Sequence, residues 1–230
     1  MRFYGFQKMT LLDFPGKVAC IVFTGGCNLR CPFCHNASLV THIHPEQSID
    51  EEEILAYLAK RRRMLEGVCV TGGEPLMQRE LVSFLRRVKE LGLSVKLDTN
   101  GTLPDRLREV VEAGLVDYVA VDVKNDREHY AATVGIEGFD VTPVEQTLHL
   151  LSTGVVPYEL RTTVVDELHD VKCIEQIAKA LPQDARYFLQ SFTDSGDLIT
   201  DTPLHAPSQK TLENMLQAAQ KHVPATKLRG

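Results

Sequence analysis

Short apolar, β-branched runs alternate with amphipathic stretches along most of the chain. Six runs have the length and the bounding Gly, Pro or Asp residues of strands: Val18–Phe23, Gly67–Thr71, Ser94–Leu97, Tyr118–Val123, Tyr158–Val164 and Tyr187–Gln190. Their continuous apolar character suits parallel strands covered on both faces. Between them, spacings of three and four predict helices over Asp50–Arg63, Gln78–Leu91, Pro104–Ala113, Thr142–Ser152, Val171–Leu181 and Ser208–His222. Ser48 and the acidic turn Glu51-Glu52-Glu53 open the first, while Gly92 and Gly114 close the second and third. Strands alternating with helices imply right-handed crossovers, and the expected fold is α/β, a partial TIM-like barrel of about six βα units with parallel strands. No repeat, low-complexity tract or linker interrupts the pattern. One domain is expected over 1–230, with its core at about 17–192 and a C-terminal helical tail over 203–230. In that tail Leu212, Met215, Leu216 and Ala219 follow helical spacing, which is the pattern of core packing.

In barrels of parallel strands, loops at the strands' C-terminal ends present side chains to a common cavity. The unusual local sequences fall there: Gly25–Cys34 after the first predicted strand, Gly72–Pro75 after the second, Asp98–Gly101 after the third and Asp122–Lys124 at the end of the fourth.

Composition narrows the function. A net charge of −6 and a pI near 5.8 give no electrostatic reason to expect nucleic acid. The one basic cluster, Lys60-Arg61-Arg62-Arg63, sits at a predicted helix end, where cations complement the macrodipole. No run of about 18 apolar residues could cross a bilayer, and the N-terminus lacks the apolar segment of a signal peptide, so the expected location is cytoplasmic, with no membrane partner. In a reducing compartment six cysteines are poor candidates for disulfides, and three of them fall within eight residues.

Those three are Cys27, Cys31 and Cys34 in Cys27-Asn28-Leu29-Arg30-Cys31-Pro32-Phe33-Cys34. Three thiolates on one short loop can wrap three corners of a [4Fe-4S] cube and leave the fourth iron without a cysteine. An open iron can be chelated by an amine and a carboxylate, such as the methionine end of S-adenosylmethionine (SAM). The competing reading is structural zinc, with His35 completing a Cys₃His set, although adjacent ligands at Cys34 and His35 are awkward for one tetrahedral ion. Cys20, Cys69 and Cys173 lie in apolar surroundings and read as small core residues. His42, His44 and His129 lie in polar, loop-like sequence and read as solvated.

The segment CNLRCPFCHN resembles the Cys-x₃-Cys-x₂-Cys signature of the radical SAM superfamily, with the aromatic before the third cysteine and the His-Asn after it that mark glycyl-radical-enzyme activases. Met9-Thr10-Leu11-Leu12-Asp13-Phe14-Pro15-Gly16, leading into Phe23-Thr24-Gly25-Gly26-Cys27, is more similar to the anaerobic ribonucleoside-triphosphate reductase activases than to the pyruvate formate-lyase ones. The resemblance is strong up to about Lys124. It implies that Cys27, Cys31 and Cys34 hold the cluster and act catalytically through it. It further implies a SAM site made by Phe33, His35, Gly72, Gly73, Glu74, Asp98, Asn100, Asp122 and Lys124, with Gly72-Gly73-Glu74 at the methionine amino group. By themselves the Gly-Gly pair is a weak turn signal, Asp98-Thr99-Asn100-Gly101 reads first as a hydrogen-bonded turn, and Asp122 and Lys124 read as an ion pair at a strand end. Arg161 interrupts an apolar strand, and its guanidinium needs either a SAM carboxylate or a structural partner such as Asp122. Where a formate-lyase activase has a late histidine that reaches SAM, this chain reads Leu189-Gln190-Ser191-Phe192, which leaves Gln190 as the candidate.

The resemblance thus implies an enzyme that cleaves SAM reductively and makes a glycyl radical on a partner, foremost anaerobic ribonucleotide reductase, with a flavodoxin- or ferredoxin-type electron donor. Activation of pyruvate formate-lyase or another glycyl radical enzyme, a small radical SAM enzyme acting on a free metabolite, and a zinc-stabilised interaction module are the alternatives.

Overall fold

The computed structural model describes residues 1–229; Gly230, the last residue of the expected tail, lies outside the described residues. The strands are β1 (Arg2–Thr10), β2 (Ala19–Thr24), β3 (Ile49–Asp50), β4 (Gly67–Gly72), β5 (Ser94–Thr99), β6 (Tyr118–Asp122), β7 (Tyr158–Val164), β8 (Tyr187–Ser191) and β9 (Lys227–Arg229). The helices are α1 (Ala37–Thr41), α2 (Glu51–Arg61), α3 (Leu81–Glu90), α4 (Pro104–Glu112), α5 (Tyr130–Val134), α6 (Thr142–Ser152), α7 (Val171–Ala180) and α8 (Gln209–Gln220). The nine strands build one sheet in the order β3-β1-β2-β4-β5-β6-β7-β8-β9 among the described residues. From β2 to β9 every pairing is parallel, and only β1 runs antiparallel to its neighbours β2 and β3. The expected α/β architecture with parallel strands is present, and the sheet remains open between the β3 and β9 edges.

All six predicted strands are there within one or two residues. The additional β1 mixes exposed Gln7 and Lys8 with buried Phe3, and its register against β2 shifts twice, so it lacks a clean period. β3 and β9, at two and three residues, are too short to carry a period at all.

Local chemistry trims the helices. The α2 cap is Asp50, whose carboxylate accepts the Glu52 N–H at 3.2 Å, rather than Ser48, which ends a preceding 3₁₀ turn. Residues Pro75–Met77 form a 3₁₀ turn and Gln78 donates to the Gly25 carbonyl at 2.8 Å, which delays α3 to Leu81. Asp170 and Ser208 cap α7 and α8 in the same way as Asp50.

Outward-facing strand residues such as Val70, Leu97, Val121 and Leu160 pack beneath the helices with Ile54, Phe84, Leu107 and Ile174. A separate cluster, including Phe14, Ile21, Cys69 and Tyr118, fills the base of the barrel, and a third, including Leu29, Phe33, Tyr130, Val165 and Phe192, packs around the cysteine loop. Among the described residues no helix is long and apolar enough to cross a membrane.

Candidate active site: a cysteine loop over a polar cavity

The loop after β2 is held by backbone contacts from three sides. The Gly26 N–H donates to the Leu39 carbonyl at 2.8 Å, the Glu74 N–H to the Gly26 carbonyl at 2.8 Å and the Arg30 N–H to the Val134 carbonyl at 2.9 Å. These approaches leave no room for side chains: a Cβ on Gly73 would lie 2.0 Å from the Gly26 oxygen, and one on Gly135, which has φ +67°, 2.3 Å from the Arg30 oxygen. Arg30 folds back so that its guanidinium donates to the Cys27 and Leu29 carbonyls at 2.7 and 2.8 Å.

So shaped, the loop brings Cys27, Cys31 and Cys34 to one cavity of about 160 Å³. Phe33, His35, Gly72, Gly73, Asp98, Asn100, Asp122 and Lys124 line the same cavity. Burial pushes the Cys31 thiol up to about 11 and that of Cys27 upward as well; Lys124 opposes it at Cys31 and the Leu29 N–H at Cys27. Burial, assisted by Lys124, lowers the pKa of His35. At Cys27 and Cys31 burial favours the thiol over the thiolate, and bound iron would reverse that balance. Three sulfurs on one loop, no fourth cysteine in the lining and a surrounding apolar cluster fit a [4Fe-4S] group with one open corner.

Around the loops after β4 and β5 the wall is a hydrogen-bond network of neutral donors on one carboxylate. Glu74 does not line the cavity. Its carboxylate is wholly buried and accepts the Leu76 N–H at 3.0 Å, the Thr99 hydroxyl at 2.9 Å and the Asn100 N–H at 2.8 Å. The Gly-Gly turn points this side chain behind the wall, where it ties the loop after β4 to the loop after β5. Burial pushes it up to about 7 despite the three donors.

Across β5, β6 and β7 the wall is ionic. Arg161 donates to Asp122 at 2.9 Å and Asp98 at 3.1 Å, Lys124 to Asp122 at 3.2 Å, and Lys96 to Asp98. Burial works against ionisation of Asp122, yet the charges of Arg161 and Lys124 outweigh it and hold the carboxyl well below its usual range. Arg161 therefore satisfies two carboxylates and stands behind the lining. Gln190 also lies outside it, in register beside the lining residue Thr163.

Leu29, Asn36, Val40, Thr71, Thr99 and Thr163 complete the lining; none was named as a site residue from the sequence, although Leu29, Asn36 and Thr99 fall inside the motifs quoted there. A signal existed for the threonines, since each stands near the C-terminal end of a predicted strand. Asn28 and Thr102, which support the wall, gave none. Cys20, Cys69 and Cys173 are buried away from this lining. His129 is exposed but not free: its Nδ1 meets Asp126 at 2.8 Å and the Cys173 sulfur at 3.6 Å.

The profile of the Radical SAM superfamily matches residues 21–178. A candidate glycyl-radical enzyme activating enzyme of Methanocaldococcus jannaschii is 30% identical over 224 residues, covering 95% of this chain and 92% of that protein. The pyruvate formate-lyase-activating enzyme of Clostridium pasteurianum is 32% identical across 60% of each chain. A 7-carboxy-7-deazaguanine synthase of Hyperthermus butylicus is 39% identical across 42% of this chain and 40% of its own. In fold, the crystal structure of a radical SAM methyltransferase from Sphaerobacter thermophilus superposes with a TM-score of 0.74, covering 96% of this chain and 68% of that one at 14% identity.

Proposed function

The chain belongs to the radical SAM superfamily, whose enzymes use a [4Fe-4S] cluster and SAM, and from that premise we propose that it is an activase that removes a hydrogen atom from a glycine Cα of a partner enzyme. The partner proposed is anaerobic ribonucleotide reductase. The observation that carries the activase reading is the similarity to a candidate activating enzyme over 95% of the chain. The Met9–Gly16 segment supports the choice of partner, and the open sheet edge between β3 and β9 supports access for a protein loop. Membership of the superfamily sets aside the zinc-stabilised module. The reading entails a reducing, cytoplasmic setting and a flavodoxin- or ferredoxin-type electron donor.

When bound, the cluster supplies an electron that cleaves the C–S bond of SAM to methionine and a 5′-deoxyadenosyl radical. In this reading Cys27, Cys31 and Cys34 hold three irons, and the Leu29–Phe33–Tyr130–Phe192 cluster keeps water from that loop. Gly72 and Gly73 let backbone carbonyls approach the methionine end, because no Cβ intervenes. Asp98, Asn100, Asp122 and Lys124, with Phe33 and His35, form the remaining SAM surface, Gln190 marks its outer limit, and Arg161 holds the Asp98 and Asp122 carboxylates in place.

Reduced enzyme, SAM and the reductase, mixed anaerobically, should give the electron-spin-resonance doublet of a glycyl radical. Methionine release without that doublet would overturn the assignment. The local identity to 7-carboxy-7-deazaguanine synthase favours a second reading, turnover of a free purine-like metabolite. SAM cleavage that depends on such a metabolite and ignores the protein partner would select it.

A further inference from the structure

Cys27 differs from the other two cysteines of the loop. Among the described residues its sulfur alone of the three receives N–H donors: the Leu29 backbone at 3.4 Å and the Asn100 side-chain amide at 3.7 Å. The orientation of that amide is fixed by its surroundings. Its oxygen accepts from the Thr102 N–H at 3.0 Å and from the Thr102 hydroxyl at 2.6 Å. Its nitrogen donates to Asn28 Oδ1 at 2.9 Å, and Asn28 Nδ2 in turn donates to Thr102 Oγ1 at 2.8 Å. The ring closes in one sense only. A flipped Asn100 would set its oxygen against Asn28 Oδ1 and a cysteine sulfur, and its NH₂ against two donors. Glu74 completes the arrangement by accepting the Asn100 backbone N–H, so the amide sits on a buried mount.

We infer that Asn100 is a positioning residue that tunes the cluster, holding an N–H on the Cys27 thiolate and thereby raising the reduction potential, with Thr102 as the group that aims it. A donor on a ligating sulfur stabilises the form with more negative charge, which is the reduced one. Because Asn100 also lines the cavity, this residue joins the cluster to the surface proposed for SAM. The inference rests on the three cysteines holding the cluster, and on neither the partner nor the substrate.

The test is a spin-resonance-monitored reductive titration of anaerobically reconstituted protein without SAM. Asn100→Leu keeps the bulk and removes the donor. With iron and sulfide content unchanged, its reduced-to-oxidised ratio at a fixed potential should fall roughly tenfold, equivalent to about 59 mV for one electron. Thr102→Val should shift the ratio the same way by less, since the Thr102 backbone N–H still aims the amide, and Thr102→Ser should match the unaltered protein. A fully loaded Asn100→Leu protein with an unchanged potential would overturn the inference and leave Asn100 as a SAM contact only. If that variant takes up no cluster, the Thr102 pair decides: different potentials support the inference and equal ones overturn it. Failure of the unaltered chain to take up iron and sulfide would instead overturn the cysteine assignment.

Discussion

The wall at the loops after β4 and β5 and the wall across strands β5, β6 and β7 keep polar groups out of bulk water by opposite means. On the first, one buried carboxylate is surrounded by neutral donors, and burial wins: Glu74 is pushed up to about 7. On the second, Asp98 and Asp122 share Arg161 and are each joined by a lysine, and attraction wins over burial at Asp122. Hydrogen bonds from neutral groups fix direction, and full ionic pairing fixes charge. A site of the proposed kind, for a metal cluster and a charged cofactor, would use both, and here the neutral wall meets Cys27 while the ionic wall faces the rest of the cavity.

Removing Arg161 should produce the largest effect and breaks the ionic wall alone. Arg161→Leu leaves two largely buried carboxylates without their shared cation, a change that costs about 3 to 5 kcal/mol when pairs are fully buried. Asp122 keeps about a third of its side chain open, so the lower end is expected. Denaturant unfolding at pH 7 reads the loss directly. A loss below about 1 kcal/mol would mean that solvent already screens this wall as it does surface pairs.

Glu74→Gln separates the walls by pH. A carboxyl raised from 4.5 to about 7 on folding destabilises the native state increasingly as pH climbs through that window, by a total on the order of 3 kcal/mol. Asp122 acts with the opposite sign: its contribution is present above the ordinary carboxylate range and disappears as pH falls below it. The glutamine variant should therefore gain on the unaltered protein by about 3 kcal/mol between pH 4.5 and 7.5, while the two fall together at the acid end. Parallel stability curves throughout would show that Glu74 stays ionised.

How far the sequence reveals this contrast depends on the distance over which each partnership runs. Lys96 and Asp98, Glu159 and Arg161, and Asp122 and Lys124 are each two apart on strands or strand ends, so period-two alternation already places each pair on one face, and Asp122 stands as a partner for Arg161 as the sequence suggests; what was not legible is that Arg161 also reaches Asp98. The cysteine loop and the Gly-Gly turn were local signals and stand where the strand order put them. The role of Glu74 was not local: its neighbours in sequence suggest a ligand contact, whereas its hydrogen bonds reach residues 25 and 26 positions away. Asn28 and Thr102, 74 residues apart, meet only because β2 and β5 flank β4. The five-residue helices α1 and α5 escaped for a related reason, since elements that short are stabilised by what they pack on rather than by their own period.

Thr99→Val makes the finest distinction. The hydroxyl donates to Glu74 Oε1 at 2.9 Å and accepts the Gly101 N–H at 3.1 Å, so a valine of nearly the same shape should cost about 1 kcal/mol. A donor to a carboxylate favours its charged form; removing one of three should raise Glu74 further and move the upper end of its stability window to higher pH. The acid limb, governed by the ionic wall, should not move. Thr99 directly follows Asp98 on β5, so if the variant changed the acid limb as well, strand geometry would be transmitting strain from one wall to the other. The two would then be a single network, and the division into a directing wall and a charge-holding wall would fail.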